Sequence, residues 1–454
     1  MINEDEIIKQ GFYRKLKSDN KKKEENMKSK RSGSNVIVMV IVCFVVFIGF
    51  NAQSITHAAK LEKSVIKIGY AGGINYVFGK QMLQAAQDAV EEVNNNGGVL
   101  GSKLEIVAAD TGLTAAGATS AIAKLTTSDK VDFIIGAYTS EEATAFHSEA
   151  NKRKIISFIH VSTLRFDDSY KANPEENKFT FGVSSSEIQT AETSIDFMPF
   201  AAKKLQQKLG LKKVNVAIVS DNALWTVNID KVMKEACEKY KDIIDLVYFT
   251  KPARNATDFT TEITEFIKKD VHLIMVFGGY GSVIPFVKQF NQMQVPAILG
   301  GAIILAMTPD DFIKAVGKEN AAYVTTTALY THVSSPRDAK LVSEFKAKHG
   351  AYPGHYAGEG YNMIKLLVKS LEKAGTINPD ELIPVIETTV VPKEETWGGG
   401  PIRLVNHRLQ YDYAGENGIR KYAQQYSPEG EIFIIYPEEK EMLIPPQMYK
   451  KWKK

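Results

Sequence analysis

The sequence predicts an α/β protein of two lobes, each a parallel sheet covered by helices, and three observations carry that prediction. First, residues 65–110 read VIKIGY, AGGINYVFG, an amphipathic run ending in VNNNGGVLG, and KLEIVAAD. That order is a strand, a Gly-rich turn, a crossover helix and a second strand, the unit of a parallel sheet. Second, the same alternation of short apolar runs and amphipathic runs continues down the chain. Third, about 395 residues remain past the leader, enough for two domains of ordinary size.

In the first helix Met82, Ala85, Ala86, Ala89, Val90 and Val93 recur at helical spacing, so one face packs on a sheet. Asn95, Asn96, Gly97 and Gly98 stop it, and 103–109 form the next strand. A helix is expected over 114–127, a buried strand over 131–136, a helix over 140–152, a strand over 155–158 and a crossing into the second lobe over 179–184. The second lobe alternates in the same way, with helices at 187–209, 224–240, 257–269 and 283–293. Its strands are expected at 214–220, 243–250, 271–277 and 297–299. The chain crosses back near 324–327 to add helices at 336–349, 358–374 and 379–388, and a final strand at 431–436 joins lobe 2. The domain reading is therefore lobe 1 from 65–183 with 326–408, lobe 2 from 184–325 with 428–454, and 409–427 as a linker and third crossing. Ligands of such sheets sit beyond the carboxyl ends of the strands, where the 72–79 loop lies.

The opening strand, the turn ending in Phe78-Gly79, the A-x-x-A-V-E-E-V-N helix and the N-G-G-x-x-G turn resemble the branched-chain amino-acid-binding family. These are type I periplasmic solute receptors of ABC importers. The resemblance runs from about 65 to 437, carried by the order of many weak motifs, and WGGGP at 397–401 is similar to the segment before the family's third crossing. It implies a type I periplasmic-binding-protein fold: two Rossmann-like lobes joined by a three-segment hinge that close on a ligand.

The N-terminus agrees with export. Lys28, Lys30 and Arg31 precede an apolar run at 36–50 that ends near Thr56-His-Ala58. A basic region, an apolar region and a small-x-small site read as a cleavable signal. Residues 1–58 are thus a leader and signal peptide, cut after Ala58, with Met27 an alternative start and an uncleaved anchor the competing reading. The run is short for a membrane span. Cys43 is not preceded by the small residues of a lipoprotein signal, so a periplasm is the expected location. Only Cys237 would remain in the mature chain, which excludes a disulfide within it. The formal charge of +3 is small and the basic residues are scattered, so no nucleic-acid partner is expected, and the 450–454 end reads as a solvated tail.

The resemblance also proposes site residues. In IIGAYTSEEAT, Ser140 matches the serine that holds a ligand carboxylate at a helix N-terminus, where free N–H groups and the dipole favour an anion. A mere helix cap is the bland alternative. In ISFIHVSTLRF, Ser162 and Thr163 fall where a loop takes the ligand's polar groups, with His160 just before them. Phe78, Trp225 and Tyr280 form an aromatic set from both lobes, suited to a ligand that is part apolar, although each could equally be core. Ala302, in LGGAII, stands where amino-acid binders of the family place the acid that pairs with the ligand ammonium. An unpartnered buried ammonium costs several kcal/mol. The implied ligand is an aromatic or aliphatic carboxylic acid without an α-amino group, unless Asp221 or another acid substitutes. A branched-chain or other amino acid is the alternative.

Enzyme classes lack their motifs. No G-x-G-x-x-G follows a strand, and no G-x-S-x-G elbow occurs. His349 and His355 have no third ligand at useful spacing, so no metal and no cofactor are expected. The expected partners are a small-molecule solute and the membrane permease of an ABC importer, with the receptor a monomer. A receptor reporting to a membrane sensor is a further possibility.

Overall fold

A computed structural model describes residues 61, 63–328, 335–437 and 439–453, with the side chains of Tyr280 and Ala328 excepted. The expected leader, 1–58, lies outside these residues. In the first lobe β1 (Val65–Gly72) and β2 (Lys103–Asp110) pair in parallel, Val65 opposite Lys103 and Gly72 opposite Asp110. The crossover between them is α1 (Val77–Asn95), which buries the same Met82, Ala85, Ala86, Ala89, Val90 and Val93 that its spacing selects. The chain continues with α2 (Ala115–Thr127), β3 (Phe133–Gly136), α3 (Ser140–Lys152), β4 (Ser157–Ile159), α4 (Leu164–Ala172), α5 (Pro174–Asn177) and β5 (Thr180–Gly182).

It then builds the second lobe from α6 (Glu187–Leu209), β6 (Val214–Ser220), α7 (Val227–Lys239), β7 (Ile244–Thr250), α8 (Thr260–Lys268), β8 (Leu273–Phe277), α9 (Tyr280–Gln292) and β9 (Ile298–Gly300). Short helices α10 (Pro309–Val316) and α11 (Lys318–Ala321) lead to β10 (Thr325–Ala328). Helices α12 (Pro336–His349), α13 (His355–Ala374) and α14 (Pro379–Thr388) precede the strands β11 (Leu404–Val405), β12 (Arg408–Leu409), β13 (Tyr411–Asp412), β14 (Ile419–Arg420), β15 (Tyr422–Tyr426) and β16 (Ile432–Tyr436). A last helix, α15 (Pro446–Trp452), closes the described chain.

The larger sheet has the order β11-β12-β5-β4-β3-β1-β2 and is parallel except for the β11–β12 hairpin. The second has the parallel order β7-β6-β8-β9. An antiparallel sheet, β10-β15-β16, is tied to the second lobe where Thr327 N–H donates to Gly301 O at 2.8 Å. Helix α13 lies against α1 so closely that a Cβ on Gly360 would stand 2.2 Å from the Met82 carbonyl oxygen, and only glycine allows that approach.

Three sequence expectations change. Helix α13 begins at His355 rather than 358, because Gly354 N–H is held by Gln81 Oε1 at 2.6 Å and fixes the start of the helix. The stretch 409–427, read as linker, contains the wholly buried strand β15. Its Gln424 and Gln425 hide the strand pattern, yet Gln425 is satisfied, donating to Leu443 O at 3.0 Å and accepting from Leu443 N–H at 2.7 Å. The basic C-terminal end is largely a helix: Met448 is buried and Trp452 Nε1 donates to Pro296 O at 3.1 Å. On α7, Cys237 is buried 3.7 Å from Met198 Sδ, and burial pushes its thiol up to about 11. Among the described residues no helix is long and apolar enough to cross a membrane.

Candidate functional site

A cavity of about 780 Å³ opens between the lobes at the carboxyl ends of both parallel sheets, within the size range of small-molecule sites. Phe78, Ser140, Ser162 and Trp225 all line it. Thr163 does not, since its hydroxyl caps α4 by accepting from Arg165 N–H at 3.4 Å. Ala302 is fully buried in the core of the second lobe, and its loop reaches the cavity through Ile304 instead. Tyr280 is the first residue of α9, with its neighbours Gly279 and Gly281 in the cavity wall, while its own side chain lies outside the described residues.

The corner of the cavity at the end of β3 is built by the backbone. Gly136, at φ 134°, would set a Cβ 2.1 Å from Ala71 O, and Ala137 follows at φ 60°. This sharp exit from β3 turns Tyr138 into the cavity and starts α3 at its edge. Thr139, not Ser140, is the cap: its Oγ1 accepts from Glu142 N–H at 3.2 Å while Glu142 Oε2 accepts from Thr139 N–H at 2.9 Å. Ser140 is then free of the capping role and stands in the wall within the first turn, where the helix dipole favours negative charge. Burial raises the Glu142 carboxyl above its usual range, opposed by hydrogen bonds from Thr111 and Thr139.

Around this corner the first lobe forms an aromatic wall. Phe78 lies 5.1 Å from Tyr138 and 5.0 Å from Tyr356 between ring centres, and Tyr138 meets Tyr356 edge-on at 5.0 Å. Trp225 faces them from a short 3-10 turn between β6 and α7. Sequence reasoning does not single out Tyr138 and Tyr356, although Tyr138 sits two positions before Ser140 in the same segment.

The charged groups come from both lobes. Asp221 follows directly on β6 and is almost fully buried, its Oδ1 accepting from Ser282 Oγ and its Oδ2 from Gly279 N–H, each at 2.6 Å. Desolvation raises its carboxyl despite those bonds and the nearby Arg254 and Lys251. Arg254 of the second lobe approaches Glu141 of the first at 3.5 Å across the cavity edge, both half-exposed. Glu187 joins the lobes beneath: its carboxylate accepts from Leu164 N–H at 2.9 Å on one side and from Asn228 Nδ2 at 2.9 Å on the other. Its own N–H donates to Ser162 O at 2.7 Å.

His160 is buried at the cavity floor with Nδ1 2.7 Å from Glu359 Oε2 and Nε2 3.4 Å from Ser162 Oγ. His355, one helical turn before Glu359 on α13, also lines the cavity. Among the described residues, His160, His355 and Glu359 form a group that could hold a metal ion. The sequence reading paired His355 with His349 and so found no third ligand; the fold instead sends His349 to Asp88 at 2.9 Å.

Two parallel-sheet lobes, joined by crossing segments and enclosing a cavity at their strand ends, define a two-lobed binding protein. The chain matches the periplasmic binding protein family over residues 67–422, and it belongs to that family. It is 21% identical over 331 residues to the Leu/Ile/Val-binding protein of Escherichia coli (strain K12), covering 72% of this chain and 83% of that one. Its fold is similar to the branched-chain amino acid transporter substrate-binding protein of Streptococcus pneumoniae in complex with isoleucine, with a TM-score of 0.65 at 21% identity over 82% of this chain and 99% of that one. It is equally similar to a solute-binding protein of an ABC transporter from Rhodopseudomonas palustris BisB5 in complex with 3,4-dihydroxy benzoic acid, with a TM-score of 0.66 at 20% identity over 82% and 96%.

Proposed function

We propose that the chain is an extracytoplasmic receptor of an ABC importer, which closes two lobes on a small carboxylic acid without an α-amino group and delivers it to a membrane permease. One observation carries the choice of ligand. The loop 299–304, where amino-acid binders place their ammonium partner, offers the cavity Ile304 and no carboxylate. The solute carboxylate docks at the first turn of α3 beside Ser140, and Phe78, Tyr138, Tyr356 and Trp225 cover its apolar body. The complex of a similarly folded protein with 3,4-dihydroxy benzoic acid supports an aromatic acid. Export to a periplasm as a monomer, through a cleaved signal, completes the reading.

Asp221 favours a second reading, an amino acid as ligand. It faces the cavity with both oxygens already engaged by one donor each, so an ammonium would have to use the remaining lone pairs. A thermal-shift and calorimetry panel separates the two, pairing benzoate, 3-phenylpropanoate and 4-methylpentanoate with phenylalanine and leucine. Binding by the acids alone is the expected result. Tight binding of leucine or phenylalanine, abolished by Asp221→Asn, establishes the second reading instead.

A further inference from the structure

We propose that His160, His355 and Glu359 form a site for one divalent transition-metal ion of the zinc type, open to the solute cavity. The three side chains come from the end of β4 and from α13, far apart in sequence, and all three are buried. His355 and Glu359 are four residues apart on α13 and so share a face. Two imidazoles and one carboxylate are the donor set of a zinc site that keeps its fourth position free.

The spacing fits. With metal–ligand bonds of about 2.1 Å, ligand atoms around a tetrahedral ion stand about 3.4 Å apart. Here His160 Nδ1 lies 2.7 Å and His355 Nε2 3.7 Å from the two Glu359 oxygens, and the three ligand atoms all lie within 4.8 Å of one another. The second of those separations is too long for a hydrogen bond. Glu359 Oε1 has no hydrogen-bond partner, and the residue is 0% exposed. A carboxylate oxygen left so is costly, and a cation seated between it and His355 removes the cost. Ser162 Oγ, 3.4 Å from the other nitrogen of His160, supplies the outer contact that orients a ligating imidazole.

The open position faces the cavity, because His160 and His355 are in its wall while Glu359 lies behind them. An ion there carries a net positive charge after the carboxylate is counted, and its fourth ligand is an oxygen of the solute. That last step rests on the receptor reading above; the metal site itself does not.

The test uses the purified full-length chain, stripped with chelator and titrated with zinc against a chromophoric competitor, and separately with cobalt(II) to read ligand-field absorption. One equivalent of zinc and a tetrahedral cobalt spectrum are expected. Loss of an outer-shell contact alone costs 10–100-fold, so His355→Ala and Glu359→Gln should each weaken zinc by about 100-fold or more. His349→Ala, at the separate pair with Asp88, should change nothing. His355→Asn and thermal melts guard against variants that merely fail to fold. Equal zinc uptake by the unaltered chain and by folded His355→Ala overturns the site and leaves His160 and Glu359 as a plain hydrogen-bonded pair. In a second arm, the affinity for 3,4-dihydroxybenzoate is measured on zinc-loaded and stripped protein. A gain of tenfold or more with zinc is expected, and equal affinities overturn the ion's part in solute binding. If no acid binds in either form, the receptor reading fails, and the zinc titration still judges the site by itself.

Discussion

Trp225 is the most direct probe of the cavity, because among the described residues it is the large aromatic that the second lobe contributes opposite the aromatic wall of the first. It sits on the turn Leu224–Thr226, half-buried, with part of its ring on the core of its own lobe and part in the cavity. An indole offers on the order of 200 Å² of surface, and about half of it faces a bound solute. Truncation to alanine then gives up roughly 100 Å² of contact, or about 2.5 kcal/mol at 25 cal/mol per Å². That corresponds to a dissociation constant higher by roughly 60-fold. Calorimetric titration of Trp225→Ala with the acid that gives the largest thermal shift measures it. Trp225→Phe should lose only part of the affinity, since a smaller ring keeps some of the contact. A change below threefold in a variant that still melts cooperatively would remove Trp225 from the site and, with it, closure of the second lobe onto the solute.

Other consequences concern stability. His147 and His272 are buried, and desolvation lowers both from 6.5 to about 4, so the folded protein resists protonating them while the unfolded chain does not. Stability is complete above pH 6.5 and falls as pH drops toward 4, by about 3 kcal/mol for each histidine. Urea unfolding at pH 7 and 4.5 should show a smaller drop for His272→Gln, and an undiminished drop would refute this. Glu187→Ala leaves the donors of Leu164 and Asn228 without their buried acceptor and should cost about 2–3 kcal/mol in urea unfolding, with under 1 kcal/mol telling against a strut between the lobes. Gly360→Ala forces a Cβ against the Met82 carbonyl oxygen and should cost about 1–3 kcal/mol. An unchanged melting temperature would mean that α1 and α13 can part.

The lobes were legible because each parallel unit is local. The apolar period of α1, its Asn-Gly stop and the two flanking strands lie within one short stretch, and the structure keeps them. Phe78 and Ser140 could be placed at the cavity wall for the same reason, since each lies in the loop that follows a strand end. The cavity floor was not legible, because His355, Tyr356 and Glu359 come from a helix reached only after the chain has left the first lobe and returned. Their i, i+4 spacing was visible, but His160 as third member depends on the return crossing. Strand β15 was hidden by glutamines whose partners, Ala306 for Gln424 and Tyr323 and Leu443 for Gln425, no local pattern reveals. Ala302 was not legible either, since the loop turns it into the core and the residue two positions on is the one that reaches the cavity.

The buried thiol of Cys237 makes the molecule convenient to watch. With its pKa pushed up to about 11 and its sulfur packed against Met198, it stays a protonated thiol at neutral pH and out of reach of maleimide dyes. Once Cys43 is replaced, a cysteine introduced at exposed Tyr76 on one lobe and another at exposed Val227 on the other would be the two positions to take label. Energy transfer between such a pair reports the distance between lobes one molecule at a time, so the opening and closing rates can be read without any solute having been named.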